Sequence, residues 1–166
     1  FPFLYRSYNG LKDLPLASKN IYQQQIQMAK FLQKYYKDDW VAVNDIGAVC
    51  YFKEKILDIW GLGDVEIIER MLKKSYTLDF LNDKLKRNSV KVMVVYKKIF
   101  EYFGGFPEDF VLVGEWQIRN SRVCAYDTIS FFSRKEEESN LIRNLKEYSF
   151  VLPKEVIQRG IYLEEK

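Results

Sequence analysis

Residues 40–52 read WVAVNDIGAVCYF and place a strand, a turn and a helix close together. Trp40 to Asn44 is a short apolar run of strand length, which is typical of a buried strand. Asp45 follows directly, and aspartate is a favoured residue at helix N-termini, so we expect it to cap a short helix. The stretch Ile56 to Ile59, which is apolar except for Asp58, follows that helix and predicts a second strand.

Helical and strand patterns alternate on both sides of this stretch. Upstream, apolar residues recur at helical spacing and predict an amphipathic helix over about 19–37 with Ser18 as its N-cap. Downstream, the pattern predicts helices over 64–74 and 77–87, and then a strand over 90–96. Strands that alternate with helices point to parallel pairing with crossover helices.

The pattern changes after residue 100. Two strand-like runs, 110–118 and 123–132, are separated only by the polar residues 119–122, which predicts an antiparallel hairpin. A last helix is expected over 135–148. The predicted fold class is therefore α/β: a three-layer domain with a mixed sheet of about five strands, in which the hairpin lies at one edge.

The chain divides into three parts on the same grounds. Residues 1–17 hold several aromatic residues without a clear period, and we interpret them as an entry segment. Residues 18–152 form a single α/β domain. Residues 153–166 are expected to be a C-terminal tail.

Composition excludes several functions. Among 166 residues there is no histidine and there are two cysteines, so histidine-based catalysis and a cysteine-rich zinc site are excluded, and we predict no metal and no cofactor. The net charge of +3 is too small to indicate a nucleic-acid partner. Basic residues are concentrated between Lys73 and Lys98. They form either an ordinary solvated face or a patch that faces anionic lipid headgroups.

The first candidate binding residues lie where the first strand ends. Asn44, Asp45 and Gly47 occupy the strand-to-helix corner that usually forms the ligand crevice of an open α/β sheet. A carboxylate at this corner disfavours phosphate and favours a sugar hydroxyl as the ligand. The alternative is purely structural, with Asp45 as a helix cap and Gly47 as a packing residue.

Three further acidic residues are candidate ligand-binding positions. Asp58 precedes Gly61 and Gly63, but this order does not match the dinucleotide fingerprint. Glu115 and Asp127 lie on the two hairpin arms and are residue types capable of acid–base work. The alternative for these two is a solvent-facing hairpin with polar cross-strand pairs.

Several segments taken together resemble a known class of membrane proteins. The most specific are N-D-I-G-A-x-x-Y-F at 44–52 and L-D-x-x-G-L at 57–62, supported by segments 21–32, 113–116 and 127–132. From about residue 15 to residue 153, the chain resembles the soluble C-terminal domain of bacterial multi-pass glycosyltransferases of the GT-C class. Members of this class resemble mannosyl- and arabinosyltransferases that depend on polyprenyl-phosphate sugars.

The resemblance implies that the catalytic carboxylate lies in a membrane region outside this chain, so no catalytic residue is assigned here. It implies a non-catalytic accessory domain on the extracytoplasmic side of the cell membrane, which binds carbohydrate or acts as a scaffold. It also implies that residues 1–17 are a juxtamembrane segment. Its expected partners are the membrane-embedded part of the same polypeptide, a glycan acceptor or polyprenyl-phosphate sugar, and an anionic membrane surface. The alternatives are a stand-alone carbohydrate or small-molecule binding protein, or a carboxylate-based enzyme.

Overall fold

The computed structural model describes residues 2–164, which form one mixed sheet with helices on both faces. The helices are α1 (Pro2–Ile21), α2 (Gln27–Tyr36), α3 (Val49–Phe52), α4 (Val65–Leu72), α5 (Leu78–Arg87) and α6 (Glu138–Tyr148). The strands are β1 (Val41–Val43), β2 (Ile56–Asp58), β3 (Val92–Val95), β4 (Phe110–Gln117), β5 (Thr128–Arg134) and β6 (Ile157–Gly160). A π-helical turn (Tyr22–Ile26) joins α1 to α2, and 3-10 turns cover Lys97–Phe103, Lys135–Glu137 and Ile161–Leu163.

The strand order is β2-β1-β3-β5-β4-β6. The first three of these strands are parallel, and β5, β4 and β6 follow in antiparallel pairing. This confirms the predicted mixed α/β class. The sheet has six strands rather than about five, because β6 pairs with β4 and moves the hairpin one position in from the edge. β6 is short and half exposed, so it carries no apolar alternation that would have indicated a strand.

Neighbouring residues of β5 show why there are three layers. The Phe131 ring faces α2 and contacts Phe31, with ring centroids 5.4 Å apart. Phe132 points to the opposite face and contacts Phe106, with centroids 4.5 Å apart. The three residues of β1 are buried, as expected for a strand that is covered on both faces.

The N-terminal helices extend further than their sequence pattern predicts. α1 begins at Pro2, so residues 2–17 are helical in the structure, and the π-helical turn interrupts the predicted 19–37 helix. The apolar side chains of the first half of α1 are largely exposed: Phe3, Leu4, Tyr5, Tyr8 and Leu11. None of the described helices is both long enough and apolar enough to cross a membrane.

The hairpin connection is longer than predicted. β4 ends at Gln117 and β5 begins at Thr128, and the Ile118 amide donates to the Asp127 carbonyl at 2.9 Å to close the intervening loop. This loop is held both by its own Ser121 Oγ, which donates to the Cys124 carbonyl at 3.2 Å, and by the N-terminal helices. The Arg122 amide donates to Asn20 Oδ1 at 2.8 Å, a contact between positions 102 residues apart.

Buried tyrosines predict a sharp loss of stability at alkaline pH. Burial raises the pKa of Tyr36 and of Tyr148 to about 12 each, and it also raises the pKa values of Tyr76, Tyr96 and Tyr162. Above pH 10 the unfolded chain therefore loses tyrosine protons that the folded chain keeps, which favours unfolding. A shift of 2 pKa units corresponds to roughly 3 kcal/mol per residue.

We expect cooperative unfolding between about pH 10 and 12 when circular dichroism and tyrosinate absorbance are recorded together. Replacing the 85% exposed Tyr51 by phenylalanine should leave this transition in place. Tyrosine titration at its ordinary pKa in a chain that stays folded would contradict the burial argument.

Candidate functional site

A crevice opens at the carboxyl ends of β1 and β3. The chain leaves β1 toward α3, which packs against α2 on one face of the sheet. It leaves β3 through the 3-10 turn Lys97–Phe103, and Phe100 of this turn contacts Phe132 on the other face. Adjacent parallel strands whose connections leave to opposite faces form the usual ligand crevice of open α/β sheets.

This crevice, the switch-point cleft, has a volume of about 430 Å³. Its walls are aromatic: Trp60 follows β2, Tyr102 lies in the 3-10 turn, and Tyr126 lies in the β4–β5 loop. Trp60 and Tyr102 meet edge to face with centroids 6.0 Å apart. Polar groups are contributed by Asn44, Asp45 and Lys98, and the remaining lining residues are Leu62, Ile99 and Ala125.

Asn44 joins the two strands at the base of the cleft. Its Oδ1 accepts a hydrogen bond from the Tyr96 amide at 2.8 Å, and the asparagine is 6% exposed. This bond continues the β1–β3 pairing beyond the last strand residues. Asn44 therefore fixes the spacing of the two strand ends between which the cleft opens.

The π-helical turn supports the cleft from behind. The Tyr96 hydroxyl donates to Gln24 Oε1 at 2.9 Å and accepts from Gln25 Nε2 at 2.8 Å. Gln24 Nε2 donates to the Tyr126 carbonyl at 3.0 Å and so holds the loop that carries this cleft aromatic. Single π-turns inside α-helices are frequent at functional sites, and here the turn brings adjacent glutamines to one polar cluster.

Asp45 lies in the cleft but does not cap a helix, so the predicted capping role is wrong. Ala48 is the N-cap residue of α3, and Asp45 Oδ1 instead accepts from the Gly47 amide at 3.3 Å. The intervening turn displaces the helix start by three positions from Asp45. Burial, with the charge of Asp45 as a second cause, raises the pKa of the Cys124 thiol to about 11. Asp45 lines the cleft together with Ala125 and Tyr126 of the β4–β5 loop.

A smaller hollow of about 180 Å³ adjoins the cleft and shares Lys98 and Tyr126 with it. Glu115 and Asp127 both line this hollow, so the two predicted hairpin acids do come together there. Glu115 Oε1 accepts from Ser130 Oγ at 2.9 Å. Hydrogen bonds from Gln117, which has the larger effect, and from Thr128 hold the pKa of Asp127 below its usual range.

Asp58 organises the loop that carries Trp60. Its Oδ1 accepts from the amides of Trp60 at 2.9 Å and Gly61 at 3.1 Å, and its Oδ2 accepts from the Gly63 amide at 2.6 Å. Asp58 is 6% exposed, and all three donors belong to the backbone. The carboxylate is thus committed to the shape of the loop.

A larger cleft of about 720 Å³ lies beside β2, and Asp58 is part of its lining. Apart from Glu54, its charged groups already have partners within the fold. Lys53 Nζ donates to the carbonyls of Tyr36, Lys37 and Asp39 at the end of α2. Lys84, outside the lining, binds the lining residues Asp64 and Glu66 at 2.7 and 2.9 Å. With so few unengaged polar groups, this cleft is a poorer candidate than the switch-point cleft.

The structure thus brings Asn44 and Asp45 into one cleft, places Gly47 in the turn beside it, and puts Glu115 and Asp127 in the adjoining hollow. The predicted site residues do not include Trp60, Tyr102, Tyr126 or Lys98 of the cleft lining. Trp60 and Lys98 shortly follow strands that the sequence did predict, so the strand-end rule could have found them. Within residues 2–164, no group of three or more cysteine or acidic side chains is arranged to hold a metal ion.

Comparison with known proteins gives one match. No curated protein and no solved structure matches the chain significantly. A family model described as a domain of unknown function, DUF8728, matches residues 19–132. The matched region runs from the end of α1 to β5 and includes every residue of the switch-point cleft. The chain therefore belongs to the DUF8728 family.

Proposed function

We propose that this chain is a non-catalytic carbohydrate-binding domain and that the switch-point cleft is its binding site. The observation that carries this proposal is the lining of the cleft, where three aromatic side chains face an amide, a carboxylate and an ammonium group. Its volume of about 430 Å³ lies within the usual range for small ligands.

A sugar matches this lining both through its apolar C–H face and through its hydroxyl groups. The C–H groups on a pyranose face carry a small positive charge and pack against the electron-rich face of an aromatic ring. Its hydroxyls both donate and accept, so they can pair with Asn44, Asp45 and Lys98 together. An anionic phosphate would meet the carboxylate of Asp45 and is therefore a poorer fit.

A binding role also suits the acidic residues better than an acid–base enzyme does. A general acid at neutral pH needs a carboxyl group whose pKa is raised. The pKa of Asp127 is shifted in the opposite direction by its hydrogen bonds to Gln117 and Thr128. We therefore place Asp127 and Glu115 in a polar extension of the binding surface, where they would contact a second sugar unit.

The wider setting rests on the sequence resemblance. We propose that the chain is an extracytoplasmic accessory domain of a membrane glycosyltransferase, with the membrane part of the same polypeptide and a glycan or polyprenyl-phosphate sugar as its partners. The exposed apolar side chains of α1 would then lie near the membrane surface. In the basic stretch, Lys73, Lys84, Lys86 and Lys91 are engaged in ion pairs, which leaves fewer charges for anionic lipid than the sequence alone suggests.

Glycan binding is tested with an array that includes mannose and arabinose oligosaccharides, followed by calorimetric titration of the chain. We expect Asp45→Asn to weaken binding by about tenfold or more, because one charged hydrogen-bond acceptor is lost. Asp83→Asn, a change of the same kind on the exposed side of α5, should bind as the unmodified chain does. Equal affinity for both variants, or no glycan ligand at all, would contradict the proposal.

A further inference from the structure

A second groove lies on the sheet face opposite α2. It has a volume of about 610 Å³ and runs beside β4, where Phe110 and Leu112 share a face with Phe132 of β5. The floor is apolar, and the wall is formed by Phe100 and Phe106 around the glycine pair Gly104–Gly105. We call this the apolar groove. No residue of the groove apart from Lys98 lines the switch-point cleft.

The groove is built rather than incidental. Phe100, Phe106 and Phe132 form a connected set of rings, with centroids 4.5 Å apart for both Phe100–Phe106 and Phe106–Phe132. Phe132 and Phe110 are 3% and 6% exposed, so the floor is fixed by packing, while Leu112 is 39% exposed at the opening. The rigid aromatic floor provides a preformed apolar surface.

Charge is confined to one stretch of the lining. The 3-10 turn contributes Lys97, Lys98 and Glu101, and both lysines are exposed. Neither lysine takes part in any of the ion pairs formed within residues 2–164. Both also line the small hollow beside Glu115, which places them at the end of the groove nearest the carboxyl edge of the sheet.

We infer that the apolar groove binds an anionic amphiphile with a single hydrocarbon chain. The hydrocarbon chain would lie on the phenylalanine floor, and the carboxylate or phosphate head would pair with Lys97 and Lys98. Burial of the chain supplies affinity in proportion to the apolar area removed from water. The lysines fix the direction of the ligand and its preference for a negative head.

The inference is tested by calorimetric titration with three probes below their micelle concentrations: dodecanoate, dodecyl phosphate and dodecyltrimethylammonium. We expect the two anions to bind and the cation of equal chain length to bind at least about tenfold more weakly. The comparison between dodecanoate and dodecyl phosphate distinguishes a carboxylate ligand from a phosphate ligand. Equal binding of the cation and the anions would show a non-specific apolar surface and overturn the inference.

Variants of Lys97 and Leu112 test the contact with the ligand's charged head and the contact with its hydrocarbon chain separately. Lys97→Glu should remove the preference for anions, whereas Lys154→Glu, an exposed change elsewhere, should keep it. Leu112→Asp places a charge at the opening of the groove, where the side chain is exposed enough for the variant to fold. We expect it to weaken the binding of both anions by about tenfold or more. Undiminished binding to a folded Leu112→Asp variant would overturn the inference. Leu112 lies outside the lining of both the switch-point cleft and the adjoining hollow, so glycan binding by the Leu112→Asp variant serves as an independent control.

Sedimentation equilibrium shows whether a second copy of the protein, rather than an amphiphile, covers the apolar groove. If the chain is a dimer that Leu112→Asp dissociates, a second copy covers the groove and the amphiphile inference fails. We expect the unmodified chain and the variant to have the same mass in solution.

Discussion

Replacing Asp58 by alanine is expected to destabilise the chain by about 3 kcal/mol and to abolish the glycan binding proposed for the switch-point cleft. The substitution leaves the backbone amides of Trp60, Gly61 and Gly63 without their acceptor. Each amide deprived of its partner costs about 1–3 kcal/mol when it is buried, and less where water can reach it. The loop would relax and withdraw Trp60 from the cleft wall.

Asp58→Asn is the matched control for this prediction. Its remaining carbonyl oxygen can still accept from Trp60 and Gly61, but its NH₂ group cannot accept from Gly63. We therefore expect a loss of about half that of the alanine variant, measured as the free energy of unfolding in urea. If both variants unfold at the same urea concentration as the unmodified chain, Asp58 does not hold the loop.

Replacing Gly160 by alanine is expected to have a similarly large effect, because it separates β6 from β4. Gly160 has a backbone φ of 130°, and an added Cβ would lie 2.3 Å from the Val113 carbonyl oxygen and 2.5 Å from the Gly114 Cα. Both obstacles are backbone atoms of the neighbouring strand, which cannot rotate away. We expect the free energy of unfolding to fall by about 3 kcal/mol or more, and the β6 amides to exchange their hydrogens faster with solvent.

Gly104→Ala distinguishes backbone strain from steric overlap. Gly104 also has a positive φ, 63°, but an added Cβ there meets nothing within 4 Å. Strain alone should cost about 1 kcal/mol, so this variant should lose far less stability than Gly160→Ala. Equal losses for the two variants would mean that the close approach of β6 to β4 contributes little.

The sequence was sufficient for the parallel half of the sheet. Residues 41–43 and 92–95 are uninterrupted apolar runs, and 56–58 is apolar apart from Asp58, so strands that are buried on both faces leave a clear signal in the sequence. β6 has no such signal, since its residues are held by pairing with β4 and by the glycine that permits close approach. Such long-range pairing is not visible in local periodicity.

The candidate site was predictable only in part for a related reason. Asn44 and Asp45 follow β1 immediately, so the strand-end rule identifies them. Tyr102 and Tyr126 reach the cleft through a 3-10 turn and a long loop, and Gln24 holds the loop across 102 positions of sequence. Aromatic residues in such connections look the same in sequence whether they cover the core or line a cleft.

The indole N–H resonances of the three tryptophans test the central claim most directly. Trp116 is 1% exposed in the core, and Trp40 precedes β1 at the opposite end of the strand from the cleft, so these two serve as internal references for Trp60. When the chain is titrated with the mannose or arabinose oligosaccharides, the account predicts that the Trp60 resonance shifts while the other two stay in place. A glycan that binds without moving the Trp60 resonance, or that shifts all three equally, would contradict carbohydrate binding in the switch-point cleft.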